Sequence, residues 1–259
     1  AGIPENTSCT TVNKMCGSGM KTVMLAYDSL VAKSSEIIVA GGLESMSNTP
    51  YILPKARSGQ RLGHGQMIDH MFLDGLEDAY EKGTLMGVFA ERTAKLYGFS
   101  REHQDEFAIR SLNRAKKAIK DGSFDSEITH VNYNSRRGKI TVTNDEQPLN
   151  ADLEKISNLK PAFKENGTVT AANSSSISDG AAALIIMRKS NAKKLELKPL
   201  ARLVGHSSFA HSPEWFTTAP IDAIRKILFN LKWDAKDVDL YEINEAFAVV
   251  TMAAMKKLG

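Results

Sequence analysis

The chain has 259 residues, 42% of them hydrophobic and 24% charged, a composition typical of a globular protein with one or two domains. Its 33 basic and 30 acidic residues leave a net charge of only +3, which argues against nucleic acid as a partner. No segment approaches the ~20 consecutive apolar residues of a membrane span, so we expect no membrane partner. The two cysteines, Cys9 and Cys16, are too few for a disulfide framework, and we expect a cytoplasmic protein.

The first predicted elements are a helix over residues 16–33 and a strand over residues 36–40. Apolar residues at helical spacing predict the helix, namely Met20, Val23, Met24, Tyr27, Leu30 and Val31. Because its flanks are mostly small or apolar, we expect it to be deeply buried. The strand is rich in β-branched residues and is predicted to end at Gly41 and Gly42. This order of helix, short loop and strand favours part of a parallel α/β layer.

Residues 49–176 are predicted to form an insertion in that layer, because prolines and glycines interrupt its first part. One surface helix is clear within the insertion, over residues 101–121. Ser100 is its predicted N-cap, and Gly122 is the glycine that follows its last turn. One face of the helix carries apolar or small residues, namely Ala108, Leu112, Ala115 and Ile119.

Alternation of strands and helices returns after the insertion. Strands are predicted over residues 181–187, 200–204 and 239–243, and helices over residues 190–195, 220–231 and 245–258. Asp179 and Gly180 open the first of these strands, and Pro220 is predicted at the first position of its helix. A parallel layer needs a strand after its last helix. We therefore expect that segments are missing at both ends of the chain.

Cys16 is the first candidate for chemistry. It lies within residues 13–21 (Asn-Lys-Met-Cys-Gly-Ser-Gly-Met-Lys), at the predicted first turn of an apolar helix. Free backbone N–H groups and the positive end of the helix dipole stabilise a thiolate at such a position. Gly17 and Gly19 would let a large substrate approach the sulfur. The residues alone leave open whether Cys16 is a nucleophile or a buried structural cysteine, whereas Cys9 is predicted to be structural.

Asn244 and residues 167–180 are candidates for binding. Asn244 begins the segment Asn-Glu-Ala-Phe-Ala, directly after a predicted strand, where α/β proteins place site residues. It could orient a water molecule or a carbonyl oxygen, or it could cap the helix that follows. Residues 167–180 (Gly-Thr-Val-Thr-Ala-Ala-Asn-Ser-Ser-Ser-Ile-Ser-Asp-Gly) are small and hydroxylated, which would let a long, thin ligand lie close to the backbone.

Other common chemistries are disfavoured. The hydroxylated segment lacks the Gly-Lys-Ser/Thr sequence of a phosphate-binding loop, which argues against nucleoside triphosphates. The six histidines show no ligand spacing with acidic residues or cysteine, so we expect no metal. A cysteine–histidine hydrolase would need an imidazole close to the thiol, and no histidine stands in a recognisable setting for it.

Together these segments resemble the thiolase family, in particular its bacterial acetyl-CoA acetyltransferases. The matching motifs occur in the family's order: NKMCGSGMK, IIVAGGLESMS, MIDHMFLDGLEDAY, MGVFAE, PAFKENGTVTAANSSSISDGAAAL and NEAFA. The resemblance covers essentially the whole chain. It implies that Cys16 attacks acetyl-CoA to give an acetyl-enzyme, which a second acetyl-CoA converts into acetoacetyl-CoA. It also implies the reverse thiolysis.

The resemblance implies site residues as well. Asn244 matches an asparagine that holds a water molecule in one oxyanion site, and the backbone N–H of Cys16 matches a donor of the other. The positions that match coenzyme A contacts are Leu76, Met86, Phe163, Ala171 and Ser175. Among these, Phe163 would pack on coenzyme A and Ser175 would hydrogen-bond its pantetheine arm. No permanently bound cofactor and no metal are expected, only coenzyme A thioesters as substrates.

The family fold is a five-layered αβαβα arrangement of two related α/β domains with an inserted loop domain. By resemblance, the first domain consists of residues 1–48 and 177–198, the loop domain of residues 49–176, and residues 199–259 open the second domain. The fold would thus be incomplete at both ends. Family members are usually homo-oligomers, either dimers or tetramers, and we expect the same here.

Two departures from the family pattern bear on function. Leu85 stands where many relatives have histidine, and the family's His-Pro-x-Gly-x-Ser-Gly motif and second cysteine are absent from these residues. Since the histidine motif and the second cysteine supply the family's catalytic bases, we expect the chain as given to be inactive. Cys-Gly-Ser-Gly at residues 16–19 favours the short-chain, biosynthetic branch. The alternatives are a longer-chain 3-ketoacyl-CoA thiolase of fatty-acid degradation and a truncated, non-catalytic CoA-binding remnant.

Overall fold

The computed structural model describes residues 2–136 and 138–259. The α-helices of the described residues are α1 (Ser18–Val31), α2 (Met86–Tyr97), α3 (Arg101–Asp121), α4 (Glu146–Asn150), α5 (Lys189–Lys194), α6 (Ala219–Leu231) and α7 (Ala248–Leu258). The strands are β1 (Ile37–Ser45), β2 (Tyr51–Ile52), β3 (Ile68–Asp69), β4 (Val131–Ser135), β5 (Gly138–Val142) and β6 (Asp179–Met187). No helix in these ranges combines the length and the apolar composition that crossing a bilayer requires.

The chain divides into two compact units. Unit 1 consists of Ala1–Glu77 and Ile177–His206, and unit 2 consists of Asp78–Ser176 and Ser207–Gly259. The domain boundaries expected at residues 48, 176 and 198 come from the family pattern and stay a prediction.

Unit 1 is built on an antiparallel pair of strands. β1 pairs with β6 over its whole length, from Ile37 opposite Met187 to Ser45 opposite Asp179. β6 starts at Asp179, two residues before the predicted start of the strand at residue 181. The prediction of a parallel layer is wrong for this pair. Side-chain patterns indicate which residues a strand buries, but the direction of its partner depends on the path of the intervening chain.

Gly41 and Gly42 do not end the strand as predicted, because β1 continues to Ser45. A Cβ atom at Gly42 would lie 2.8 Å from the Cα atom of Gly19, and one at Gly41 would lie 2.3 Å from the carbonyl oxygen of Ala182. The two glycines therefore let α1 and β6 approach the backbone of β1 closely. Gly19 faces this contact, so its role here is to pack α1 onto β1.

Helix α1 is buried along one side only. Met24, Ala26 and Leu30 are buried, but Met20 is 71% exposed and Val31 is 64% exposed. The prediction of deep burial is therefore wrong for Met20 and Val31, since among the described residues β1 covers one side of the helix.

Unit 2 holds the main hydrophobic cluster. Its buried members come from α2, from α7 with the residue before it, and from the segment of residues 167–180, namely Ala90, Ala94, Val169, Phe247, Val249 and Val250. Helix α3 has the predicted ends: the Ser100 hydroxyl accepts the His103 N–H at 3.3 Å, and Gly122 takes the left-handed conformation with φ +68°. Local capping chemistry is enough to set these ends, which explains why the sequence predicts them correctly.

Two predicted strands do not form, one in unit 1 and one in unit 2. Residues 200–204 and 239–243 have no regular secondary structure. A strand exists through hydrogen bonds to a neighbouring strand, and none of the described residues pairs with either segment. The three helices predicted beside them do form, as α5, α6 and α7. Helix α7 starts at Ala248, three residues later than the predicted start at Glu245.

Candidate active site

Cys16 lies exposed in a tight turn immediately before α1. The turn is closed by a hydrogen bond from the Gly17 N–H to the Lys14 carbonyl oxygen, 3.0 Å long. Met15, at its first central position, has φ +50°, in the left-handed region that residues other than glycine rarely adopt. This conformation places the cysteine at the second central position of the turn, and helix α1 begins two residues further on.

The backbone donors of the turn are almost all occupied. The Lys14 N–H donates to the Ser18 hydroxyl at 2.8 Å, and the Met15 N–H donates to the Asn13 side-chain oxygen at 2.9 Å. The Ser18 N–H donates to the Met15 carbonyl oxygen at 3.2 Å. The Cys16 N–H has no hydrogen-bond acceptor among the described residues. A backbone donor that has no partner is available to a ligand.

The exposure of Cys16 decides one question that the sequence left open. A buried structural role for Cys16 is wrong, since its thiol is exposed. Cys9 is also exposed, and its thiol donates to the Thr7 carbonyl oxygen at 3.5 Å. Exposure therefore does not distinguish the two cysteines. Cys16 differs from Cys9 because it lies in a tight turn that leads directly into helix α1. No imidazole of the described residues bonds to Cys16; in unit 1, His206 contacts Asp28 instead.

Asn244 does not cap a helix. Helix α7 begins at Ala248, its N-cap position is Phe247, and no side chain caps it. The capping alternative for Asn244 is therefore wrong. Asn244 is exposed, and its side chain makes no hydrogen bond within the described ranges. An exposed amide without an intramolecular partner can hold a water molecule or a ligand.

The two candidate binding segments of unit 2 lie side by side. The Ser175 N–H donates to the Ala246 carbonyl oxygen at 3.0 Å, and the Ala248 N–H donates to the Asn173 carbonyl oxygen at 2.9 Å. The Ser175 hydroxyl donates to the Glu245 carbonyl oxygen at 2.7 Å. The structure thus joins the hydroxylated segment to the segment that carries Asn244, although the two are about 70 residues apart in the sequence.

Helix α3 supports this junction from the other side. The Ser111 hydroxyl donates to the Glu245 carboxylate, with distances of 2.8 Å and 3.1 Å to its two oxygens. Glu245 is therefore held through its side chain by α3 and through its carbonyl oxygen by Ser175. Ser111 is not among the predicted site residues, because no local signal distinguishes this serine from other polar residues of a surface helix.

The predicted coenzyme A contacts divide between the units. Leu76, half-buried at the end of a helical turn (Phe72–Leu76), lies in unit 1. In unit 2, Met86 is the first residue of α2, and Ala171 is exposed in the hydroxylated segment. The half-buried Phe163 ring lies against Gly87, where an added Cβ atom would come within 2.2 Å of the ring. Both Met86 and Phe163 also pack against the main hydrophobic cluster.

A buried carboxylate organises the start of the hydroxylated segment. Glu91 of α2 is 8% exposed, and one of its oxygens accepts the N–H groups of Thr168 and Val169, each at 2.7 Å. Its other oxygen accepts the Thr168 hydroxyl at 3.1 Å. A Cβ atom at Gly167 would lie 2.3 Å from this carboxylate, so the glycine is required by the close approach. Glu91 is not among the predicted site residues either.

Asn173 locks the same segment to α3. Its amide donates to the Asp105 carboxylate at 3.1 Å, and its side-chain oxygen accepts the Thr170 N–H at 2.8 Å. Asp105 in turn accepts from Arg101 at 2.6 Å. These polar groups are largely buried and pair with one another, which is how a buried polar cluster avoids the cost of desolvation. A signal was present in the sequence, since Asp105 precedes Ala108 by three residues and so continues the predicted apolar or small face of α3.

The end of the hydroxylated segment is fixed in unit 1. The Asp179 carboxylate accepts both the hydroxyl and the N–H of Ser47, the latter at 2.9 Å. The hydrogen bond from the Ser47 hydroxyl, followed by that from the Ser47 N–H, lowers the pKa of Asp179 below its ordinary value. Within the described residues, no three histidine, cysteine or acidic side chains come together as a metal site.

Comparison with solved structures defines the fold as thiolase-like α/β. A crystal structure of the Bacillus anthracis acetyl-CoA acetyltransferase matches 99% of this chain with a TM-score of 0.94 and 41% identity, and the chain covers 65% of it. A thiolase from Ascaris suum in complex with coenzyme A matches 99% of this chain with a TM-score of 0.91 and 38% identity, again over 65% of its own length.

The sequence comparisons give the family. The family model of the thiolase N-terminal domain matches residues 1–190, and that of the thiolase C-terminal domain matches residues 197–259. The chain belongs to the thiolase family. It is 47% identical over its whole length to an acetyl-CoA acetyltransferase of Schizosaccharomyces pombe, and 44% identical over 99% of it to a probable acetyl-CoA acyltransferase of Staphylococcus aureus. It spans 66% of the length of each of these relatives.

Proposed function

We propose that the protein is an acyltransferase that condenses two molecules of acetyl-CoA to acetoacetyl-CoA and CoA, and that also catalyses the reverse thiolysis. One observation carries the proposal: Cys16 is exposed, beside its own unpartnered N–H, in the turn that leads into α1. The identity of 47% to an acetyl-CoA acetyltransferase over the whole chain supports the choice of acyl group. The Cys-Gly-Ser-Gly sequence at residues 16–19 supports it further.

In the first half-reaction, the Cys16 thiolate attacks the carbonyl carbon of acetyl-CoA. A bond forms between this carbon and the cysteine sulfur, the bond to the CoA sulfur breaks, and CoA leaves as a thiolate that takes up a proton. Negative charge develops on the carbonyl oxygen between these two events. The free N–H of Cys16 donates to that oxygen, which is the kind of preorganised contact that lowers such barriers most.

In the second half-reaction, the methyl group of another acetyl-CoA loses a proton to a base, and the resulting carbanion attacks the acetyl group on Cys16. A carbon–carbon bond forms, the bond to the cysteine sulfur breaks, and acetoacetyl-CoA leaves. Asn244 holds a water molecule that donates to the enolate oxygen of the second substrate. The base that removes the proton is assigned to none of the described residues.

Coenzyme A thioesters bind as substrates, and we propose no permanently held cofactor. The residues that contact them are Leu76, Met86, Phe163, Ala171 and Ser175. Ser175 already donates its hydroxyl proton to Glu245, so its oxygen is left to accept an N–H from the pantetheine arm. The half-buried ring of Phe163 offers an apolar surface held in place by Gly87. We further propose a cytoplasmic homo-oligomer, either a dimer or a tetramer.

We propose that residues 1–259 alone do not turn over. Cysteine chemistry of this type needs one base to activate the sulfur and another to remove the proton. The family's histidine motif and second cysteine have no match among these residues, and no described imidazole bonds to Cys16. The experiment compares the rate at which residues 1–259 thiolyse acetoacetyl-CoA with the rate of the complete reading frame that contains them. Activity of the shorter chain within about tenfold of the longer one would mean that another residue, with the histidines as first candidates, supplies the base.

The central experiment is mass spectrometry of the complete reading frame after brief incubation with acetyl-CoA. We expect one acetyl group on the peptide that contains Cys16, and its loss when CoA is added back. Cys9→Ser is the matched control and should acetylate and turn over normally. Acetylation of Cys9 in place of Cys16, or normal turnover by Cys16→Ala, would refute the proposal.

A further inference from the structure

We infer that Asn13 and Ser18 are positioning residues that hold Cys16 and its N–H in the orientation needed for acyl transfer. The inference rests on the proposed role of Cys16 as nucleophile, and it adds two side chains to which no role has been assigned. Asn13 directly precedes the turn and Ser18 is the first residue of α1, so one lies on each side of the cysteine.

The first observation is the conformation of Met15. Its φ of +50° is unfavourable for a residue with a Cβ atom, and such a conformation persists only where surrounding contacts fix it. Two side chains supply these contacts. Asn13 accepts the N–H of Met15 at 2.9 Å, and Ser18 donates its hydroxyl to the carbonyl oxygen of Met15 at 2.9 Å. Met15 is therefore held at both of its backbone polar groups.

The second observation is the fate of the backbone donors in residues 14–18. Asn13 takes the N–H of Met15, and Ser18 takes the N–H of Lys14 at 2.8 Å. The N–H groups of Gly17 and Ser18 bond to carbonyl oxygens within the turn. Among the described residues, this leaves the N–H of Cys16 as the one donor of the five that has no acceptor. The side chains of Asn13 and Ser18 thus select which N–H of the turn stays available to an oxyanion.

The consequence is that the thiol and the free N–H of Cys16 are fixed together. Both belong to the residue that follows Met15, so a change in the φ angle of Met15 would move both at once. If Met15 relaxed to a negative φ, Cys16 would leave its place before the first turn of α1, where a thiolate is stabilised. The two side chains therefore act on the reaction through Cys16 and need not touch the substrate.

The test measures the reactivity of the thiol directly, in residues 1–259, by carbamidomethylation with iodoacetamide and quantification of the Cys16 and Cys9 peptides. Cys9 is exposed outside the turn and serves as the internal reference in the same molecule. We expect Ser18→Ala and Asn13→Ala each to slow the reaction of Cys16 by about fivefold, the effect of losing roughly one hydrogen bond, while Cys9 reacts at an unchanged rate.

Conservative variants separate positioning from mere stability of the turn. Ser18→Thr keeps the hydroxyl and should react at nearly the original rate. In the Ser18→Ala background, Met15→Gly should restore most of the lost rate, because glycine adopts a positive φ without strain. Thermal melting followed by circular dichroism is recorded for every variant. If Ser18→Ala lowers the melting temperature strongly, the test rests on the Cys16 rate of Asn13→Ala. Asn13 lies outside helix α1, so its substitution does not disturb the helix.

Equal Cys16 rates in Ser18→Ala, Asn13→Ala and the original chain would overturn the inference, as would equal slowing of Cys9. Failure of the proposed function has a different signature. If acetyl-CoA never acetylates Cys16 in the complete reading frame while the iodoacetamide rates follow the expected order, the acyltransferase proposal is wrong and the positioning of Cys16 stands.

Discussion

Gly42 of β1 lies directly against Gly19 of α1, so closely that a Cβ atom on Gly42 would be 2.8 Å from the Cα atom of Gly19. The atoms of Gly19 that it would meet are the Cα and, at 3.0 Å, the N, both of which belong to the backbone and cannot rotate out of the way. Helix α1, which follows Cys16, therefore packs against β1 at a distance that only glycine permits.

Gly42→Ala should consequently destabilise the protein by about 1–3 kcal/mol, the usual cost of overpacking a close contact. Urea denaturation of residues 1–259 measures the change. Gly180→Ala in β6 is the matched control, because an added Cβ atom there meets no atom within 4 Å. It should change the free energy of unfolding by no more than about 0.5 kcal/mol. Similar losses in the two variants would show that the contact with Gly19 is not the cause.

Glu91 is predicted to stabilise the hydroxylated segment by satisfying two buried N–H groups. Glu91→Ala leaves the N–H groups of Thr168 and Val169 without an acceptor, at a cost of about 1–3 kcal/mol for each group. Glu91→Gln keeps one accepting oxygen in the same place and should lose much less. Urea denaturation of both variants tests this. Equal destabilisation by alanine and glutamine would mean that the charge, and not the acceptor, matters.

Asn244 is predicted to serve the reaction and not the fold. Its side chain is exposed, so Asn244→Ala should leave the melting temperature nearly unchanged. If it holds the water of an oxyanion site, the loss of that donor should lower kcat by about 10²–10³ in the complete reading frame. Asn113→Ala, at an exposed asparagine of α3, is the control and should be fully active. A large loss of stability with normal specific activity would contradict the prediction.

Asp179 is predicted to make the free energy of unfolding fall as the pH is lowered into the acidic range. Its bonds to Ser47 lower its pKa in the folded state, so they stabilise the fold above the ordinary aspartate pKa and lose this effect as the pH falls through the lowered value. Asp179→Asn should therefore melt earlier than the original chain at about pH 7, and the difference should shrink towards about pH 3. A difference that stays constant over this range would contradict the role of the charged carboxylate.

Several features could be predicted because they depend on neighbours in the sequence. The ends of α3 follow from Ser100 and Gly122, each of which acts within one helical turn. The strand predicted over residues 181–187 forms as β6 with its start two residues earlier. The helix predicted over residues 16–33 forms as α1 with its start two residues later, so that Cys16 precedes the helix and is not part of its first turn. The family could be identified for a similar reason, since short motifs in a fixed order survive in the sequence itself.

Other features could not be predicted because the partners are far apart in the chain. The antiparallel pairing of β1 with β6 and the contact of Gly42 with Gly19 depend on which segments meet. The same holds for Glu91 and the hydroxylated segment, whose hydrogen bonds join residues 77 and 78 positions apart.

The sequence by itself determined the family, the nucleophile candidate and the ends of α3, since all three are encoded in contiguous residues. Only the tertiary structure decided that Asn244 caps no helix, that Ser175 and Ser111 both hold Glu245, and that the N–H of Cys16 stays free. Hydrogen bonds are short-ranged and directional, so their partners become known only once the chain has brought the donors and acceptors together.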